Sequence, residues 1–408
     1  MAQKNYFIGC DIGSATIRIV ALERRDELGL AVAGAVECAT EGMRRGAVVS
    51  PETVAKSIQR ARADLKKLFS LDVDHANVSI GESRLAPFVS RGAVSVSRAD
   101  GEITHEDARR ALEAAEAALP RLGNREIIHS FPLAYTVDKD AFIREPVGMV
   151  GAKLEVEALF VGGFTPHIKN LLKACDIAGL DIENAFAAPY AASFHVLSRK
   201  QKEVGTLLLD IGAQTSALAV FEEGLLLSLE ILPVGSNHIT QDIAVGFQID
   251  LASAERMKRN LGAFMEQGKK EIRLGDLPKN LENSFSPKKL RDIVRARLDD
   301  IFELVDKHLR RVNRNELLPG GVVLAGGGAR LFDIQDAVRE ELHLPVEIAY
   351  GVSGLSGRKE LIAGPEWMVA VGLARVAAEN APQAGRMGEF FSSNFSRRVG
   401  KFLKTLVP

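Results

Sequence analysis

Asp11 and Asp210, far apart in the chain, sit in the same local setting. The first stretch reads YFIGCDIGSATIRIV and the second LLLDIGAQTSALAVF: an apolar run, Asp-Ile-Gly with small or hydroxyl residues, then another apolar run. That pattern is a strand, a tight turn and a strand. Glycine and small residues let backbone N–H groups approach an anion closely, and a carboxylate at the turn can hold Mg²⁺ or its waters. One such turn is ordinarily only a turn; two of them suit a polyphosphate gripped from both sides. A third glycine turn, LAGGGARL, joins a buried strand to a helix, either as a tight connection or as a close approach to a nucleoside. In ASAERMKRNLG, Glu255 and Lys258 stand three apart on one helical face, as a surface ion pair or as contacts to a hydroxyl-bearing ligand.

The rest of the chain must position these groups. At 408 residues it is longer than one hydrophobic core usually serves, so two or more domains are expected. A hydrophobic fraction of 46% and a net charge of −1 fit a globular protein with no overall attraction to nucleic acid, and only a short basic tail offers any local one. Cys10, Cys38 and Cys175 are scattered without metal-ligand spacing, as in a reducing compartment. The first residues lack a signal-peptide core and no run approaches the ~18 apolar residues of a membrane span, so a cytosolic location is expected.

Tyr6 to Cys10, Thr16 to Glu23 and Leu30 to Glu37 read as the strands of a meander. SPETVAKSIQRARADLKKLF reads as a helix with Ser50 as N-cap and Pro51 at its first position. From about Arg84 to Val161 short strands surround one helix, opened by a capping box at Thr104 and Asp107: a small α+β insert. The second hairpin runs from Thr206 to Leu232, and a helical, charged region from Asn237 to Arg314. There Leu290, Ile293, Val294, Leu298, Ile301, Phe302 and Val305 mark a long amphipathic helix. After Ala378 the composition loosens into a linker.

The ordered set of first hairpin, Pro-containing connector, second hairpin, LPVGSNHITQDIA, AERMKRNLG and VVLAGGGARL resembles the actin/Hsp70/sugar-kinase ATPase superfamily from Asn5 to Ala378. The insert REIIHSFPLAYTVDKDAFIREPVGMVGAKLEVEALFV is similar to that of the bacterial FtsA family, as is VGSNHITQDIAVGFQI. The resemblance implies an α/β, actin-like two-lobed ATPase fold with an inserted small α+β subdomain and a C-terminal amphipathic helix. It divides the chain into a first lobe core (1–83 and 162–195), the insert (84–161), a second lobe core (196–236 and 315–378) with a helical subdomain (237–314), a linker (379–387) and a membrane-binding helix (388–408).

The resemblance also implies ATP and Mg²⁺ between the lobes. Asp11, Gly13, Ser14 and Arg18 would form the first phosphate loop, Arg18 standing where actins carry lysine. Asp210, Gly212, Gln214 and Thr215 would form the second, with Gly235 beyond it. Glu255 and Lys258 would meet the ribose and purine, Gly326, Gly327 and Gly328 would back the adenosine, and Asp11 and Asp210 would hold the metal. Where FtsA-like second loops often carry more glycine and a further Asp, this chain has Ala213, Gln214 and Ala217; the connector, often Glu-Pro, is Ala188-Pro189. Each departure removes a group or a backbone freedom near the terminal phosphate. Binding is expected to survive with hydrolysis slow or absent, unless Gln214 itself orients a water.

GEFFSSNFSRRVGKFLKTLVP closes the sequence. At about 100° per residue, Phe391, Phe395, Val399, Phe402 and Leu406 share one stripe with Leu403 at its edge, opposite Arg397, Lys401 and Lys404, with Arg398 on the flank. Such a helix suits the interface of an anionic bilayer; the bland alternative is a terminal helix docked on its own protein. The family likeness implies a protein on the cytoplasmic face of the inner membrane at the division site. It would self-assemble into filaments, bind the C-terminal tail of FtsZ and recruit later division proteins. The FtsZ tail would meet the long helix Pro287 to Arg311 at Arg297 and Asp300. A pilus-assembly scaffold, which needs no membrane-seeking tail, and a sugar-kinase-type phosphotransferase, which needs a general base that the second loop lacks, are the alternatives.

Overall fold

The computed structural model describes residues 6–25, 29–120, 122–266, 286–351 and 353–380. The expected tail at 388–408 and nearly all of the expected linker lie outside them.

The chain opens as the expected meander, β1 (Tyr6–Ile12), β2 (Thr16–Arg25) and β3 (Gly29–Ala39). The strands outrun their apolar cores because the ladder continues through charged residues, as far as Arg25 opposite Gly29. A short hairpin, β4 (Met43–Arg44) and β5 (Ala47–Val48), leads into helix α1 (Pro51–Phe69). Ser50 occupies the N-cap position, but its hydroxyl pairs with Thr53 Oγ1 at 2.7 Å instead of a helix amide. Strand β6 (His75–Ile80) then runs parallel to β1.

The insert follows as β7 (Ala86–Ser95), α2 (His105–Ala117), β8 (Arg125–Val137), β9 (Asp140–Ile143) and β10 (Lys153–Phe164), a sheet ordered β7-β10-β8-β9 with α2 against it. The capping box forms: Asp107 N donates to Thr104 Oγ1 at 3.3 Å and Thr104 N to Asp107 Oδ2 at 3.0 Å. Ile103, Ala111, Leu154, Val156 and Phe160 give this unit a core of its own.

Helix α3 (Thr165–Ile177), strand β11 (Asp181–Ala187) and helices α4 (Ala188–Val196) and α5 (Arg199–Val204) lead to the second meander, β12 (Thr206–Ile211), β13 (Ser216–Glu222) and β14 (Leu225–Leu232). Helices α6 (Ser236–Phe247), α7 (Leu251–Arg259), α8 (Leu261–Glu266) and α9 (Pro287–Arg311) precede β15 (Val322–Ala325), α10 (Ile334–Leu342) and β16 (Val346–Ile348). On α9, Leu290, Val294, Leu298, Ile301, Phe302 and Val305 are buried and Ile293 partly so, as the periodicity predicts.

The duplication seen in the sequence is a duplication of topology. The first sheet contains the order β3-β2-β1-β6-β11 and the second is β14-β13-β12-β15-β16. In each, the first strand of the meander pairs antiparallel with the next and parallel with a later strand. Side-chain alternation then buries the second sheet on both faces. Leu208 and Ala219 join the core of the first lobe, while Leu207, Leu209 and Ile211 pack with Ile239, Phe302 and Val338 of the helical side.

The end of the chain corrects the expected partition. Strand β17 (Leu355–Gly357) pairs parallel with β3, and α11 (Met368–Glu379) packs on β1 and α4. Strand β17 and helix α11, expected in the second lobe, thus complete the first, while Pro365 and Glu366 between them contact the second, and Glu379 ends a helix where a linker was expected to begin. The physical reason is that α11 is apolar nearly all round and needs burial on more than one side. Gly9 on β1 permits it, since a Cβ there would lie 2.1 Å from Ala370 O. Among the described residues no helix is long and apolar enough to cross a membrane.

Candidate functional site

The two meanders build the same turn twice. Gly13 N donates to Thr16 O at 3.1 Å, and Gly212 N donates to Thr215 O at 2.9 Å. Asp11 lies opposite Arg18 in its ladder, and Asp210 opposite Ala217. Both turns open on one cleft of about 750 Å³, ample for a nucleotide-sized ligand. Asp11, Gly13, Ser14 and Arg18 line it from the first lobe; Asp210, Gly212, Thr215, Glu255, Lys258, Gly326 and Gly327 line it from the second.

Three expected site residues do not line the cleft. Gln214 directs its Oε1 to Arg45 N at 2.7 Å. Gly235 lies behind the second turn, where a Cβ would meet Gly212 O at 2.7 Å. Just beyond it, Ser236 N and Asn237 N donate to Gly212 O at 2.9 Å and Ala213 O at 2.8 Å, so the start of α6 braces the turn. Gly328 is packed on Ile211, whose Cγ2 would be 2.4 Å from a Cβ. All three shape the site from outside it.

The cleft floor is acidic. Asp11 Oδ1 accepts from Ser79 Oγ at 2.7 Å, and that hydroxyl oxygen accepts from Ile12 N at 3.0 Å. Burial raises the Asp11 carboxyl, against the pull of Ser79 and Arg18. Asp210 is pushed up to about 7, first by burial and then by the charge of Asp11, with Arg18 opposing. Two carboxyl groups whose charges disfavour each other suit a cation near both. Among the described residues no group of three or more His, Cys, Asp or Glu gathers to hold a metal, so further oxygens would come from a ligand or water. Arg18 pairs with Glu37 at 3.1 Å and lies 5.7 Å from the Trp367 ring centroid.

Glu255 and Lys258 form a closed network. Lys258 Nζ donates to Glu255 Oε2 at 2.7 Å, Thr240 Oγ1 at 2.9 Å and Ser236 O at 3.1 Å, so all its protons have acceptors while it is 6% exposed. Glu255 also accepts from Thr240 Oγ1 at 2.6 Å and Arg259 Nε at 2.8 Å. Burial pushes its carboxyl up, but these donors outweigh it and hold it at about 2. Glu255 is therefore a fixed anion on the cleft wall, and Lys258 is what fixes it.

Gly326 has φ +80° and donates its N–H to Pro365 O at 2.9 Å; a Cβ there would lie 2.2 Å from Asp210 Oδ1. Gly327 has nothing within 4 Å of its Cβ position and leaves that wall open. Sequence reasoning missed Ser79, Glu37 and the bidentate pair of Arg330 with Glu366, 2.7 Å at both contacts. Ser79 reaches Asp11 only through the parallel pairing of β6 with β1, which no local pattern displays. Arg330 stands two residues after the glycine triplet and was within reach of that motif. Arg297 and Asp300 lie away from the cleft lining on α9, where Arg297 holds Asp242 at 2.6 and 3.0 Å and Asp300 at 2.9 Å.

Two like sheets whose matching turns face one cleft are the architecture of solved actin-like proteins. A chain described under a PilM–PilN type IV pilus biogenesis complex matches with TM-score 0.68 and 19% identity, over 92% of this chain and 100% of that one. MreB5 of Spiroplasma citri, described as bound to ADP, matches with TM-score 0.51 and 14% identity over 90% and 94%. The fold class is thus actin-like, with an inserted α+β subdomain. A model for Cell division protein FtsA matches residues 207–372, and one for the SHS2 domain inserted in FtsA matches 83–161, together more than half the chain. Cell division protein FtsA of Bacillus subtilis (strain 168) is 29% identical over 390 residues, 95% of this chain and 86% of that protein. The chain belongs to the FtsA family of cell-division proteins.

Proposed function

We propose that the chain binds ATP with Mg²⁺ in this cleft and acts as a division-site scaffold. It would self-assemble on the cytoplasmic face of the membrane and hold FtsZ filaments there. The observation that carries the nucleotide reading is the convergence of the Asp11–Gly13 and Asp210–Gly212 turns on one cleft. Turn amides would meet the polyphosphate, Glu255 would accept from ribose hydroxyls, and the open wall at Gly327 would leave room for the base. Asp11 and Asp210 would hold Mg²⁺ through water, and the ion would supply positive charge to the polyphosphate. Description of the similar MreB5 as bound to ADP supports this reading. Hydrolysis would be slow, since Ala188 lines the cleft where relatives often carry Glu and Gln214 is engaged elsewhere.

Membrane attachment rests on the stripe of Phe391, Phe395, Val399, Phe402 and Leu406 against Arg397, Lys401 and Lys404. A single helix of this kind binds weakly, and polymerisation would multiply the attachments. Docking of the FtsZ tail at Arg297 and Asp300 would exchange the Asp242 contact for one to the peptide, and later division proteins would add to the assembly. Co-sedimentation of the full chain with phosphatidylglycerol vesicles, with ATP and Mg²⁺, tests the membrane part. The full chain should pellet and a chain lacking 388–408 should not; equal pelleting of both would refute it.

A further inference from the structure

We propose that Gln214 is a clasp between the lobes that closes the phosphate end of the cleft and sets how fast nucleotide leaves; the proposal rests on the nucleotide reading above. The turn between β4 and β5 has positive φ at both central residues, Arg45 at +50° and Gly46 at +76°. Two-residue hairpin turns of this kind leave the amides of their central residues outside the ladder. Here both amides are engaged, and by different lobes. Gly46 N donates to Ser14 Oγ of the first turn at 2.9 Å, and Arg45 N donates to Gln214 Oε1 of the second at 2.7 Å.

The hairpin is anchored on the first lobe. Ser83 N donates to Arg45 O at 3.2 Å, and Gly46 is pressed so closely on Gly81 that a Cβ would fall 1.8 Å from Gly81 O. Gly46 and Gly81 both line the cleft, so this junction lies at its edge. The hairpin cannot follow the second lobe if the lobes part, and the Arg45–Gln214 bond must then break. Gln214 stands in the short second turn, where a smaller residue would not reach across. The side chain that removes backbone freedom from the turn thus supplies a cross-cleft contact in return. It acts as a positioning residue and does not line the cleft.

The test uses the full chain loaded with a fluorescent ATP analogue and Mg²⁺, with release followed by stopped flow. Hydrogen exchange of the Arg45 amide is measured in parallel on nucleotide-free protein. Gln214→Met keeps the size without the acceptor, and Gln214→Glu keeps an acceptor. Losing one ordinary hydrogen bond should speed release about fivefold in Gln214→Met, with Gln214→Ala alike. The Arg45 amide should lose protection in Met and Ala variants and keep it in Gln214→Glu. Unchanged release together with unchanged protection in Gln214→Met overturns the clasp. Lost protection with unchanged release overturns its control of exchange. A wild type that takes up no analogue overturns the nucleotide reading, while the amide exchange still decides the contact.

Discussion

Asp11 raises the proton affinity of Asp210 across the cleft floor, adding to the larger effect of burial. The cleft floor therefore carries two carboxyl groups that resist being charged together. Asp210, at about 7 against 3.8 for a free carboxyl, holds its proton more tightly folded than unfolded. Such a group favours the fold at low pH and withdraws that support as pH rises from about 4 to about 7.

Asp210→Asn should remove this pH-dependent cost. In denaturant titrations without nucleotide, the variant should exceed the wild type by about 2–3 kcal/mol at about pH 8, the difference fading toward about pH 4. A constant difference at all pH values would mean that Asp210 is not the titrating group.

The sign is opposite at Glu255, whose carboxyl is held at about 2 against 4.5 when free. Its support is present above about pH 4.5 and is lost as pH falls toward about 2. Glu255→Gln leaves the Lys258 ammonium without its anion at 6% exposure, and should cost about 1–3 kcal/mol at neutral pH. Unfolding curves at neutral and acidic pH check both halves of this prediction, because the deficit should shrink in acid.

Neighbouring glycines should respond differently to the same methyl group. Gly326→Ala places a Cβ 2.2 Å from Asp210 Oδ1 at a positive φ, and should destabilise the chain by roughly 1–3 kcal/mol. Gly327→Ala meets nothing within 4 Å and should leave thermal stability of the nucleotide-free protein unchanged while weakening nucleotide binding. Equal melting temperatures for the two variants would contradict the packing described.

Much of this site is local in sequence. The paired Asp-Ile-Gly turns carry their own strands on either side, so Asp11, Asp210 and their glycines were legible as a cradle. The capping box at Thr104 and the buried face of α9 were legible for the same reason, since both are set by spacing within one element. What escaped depends on contacts between distant segments. Ser79 meets Asp11 only after β6 aligns with β1, and α11 joins the first lobe because its all-round apolar surface finds two partners there. Gln214 was expected at a phosphate because it stands in the second Asp-Ile-Gly turn; the direction of its side chain is set by Arg45, on a hairpin of the other lobe.

If two like turns hold one nucleotide, Asp11 and Asp210 act on the same ligand, and a double-mutant cycle on affinity reads their coupling. Isothermal titration of ATP with Mg²⁺ into the wild type, Asp11→Asn, Asp210→Asn and the double variant gives the coupling. This shared grip predicts one site per chain, a loss of roughly tenfold or more in each single variant, and a double variant weakened by less than the product of the two. No binding by the wild type, or losses that simply multiply, would contradict it.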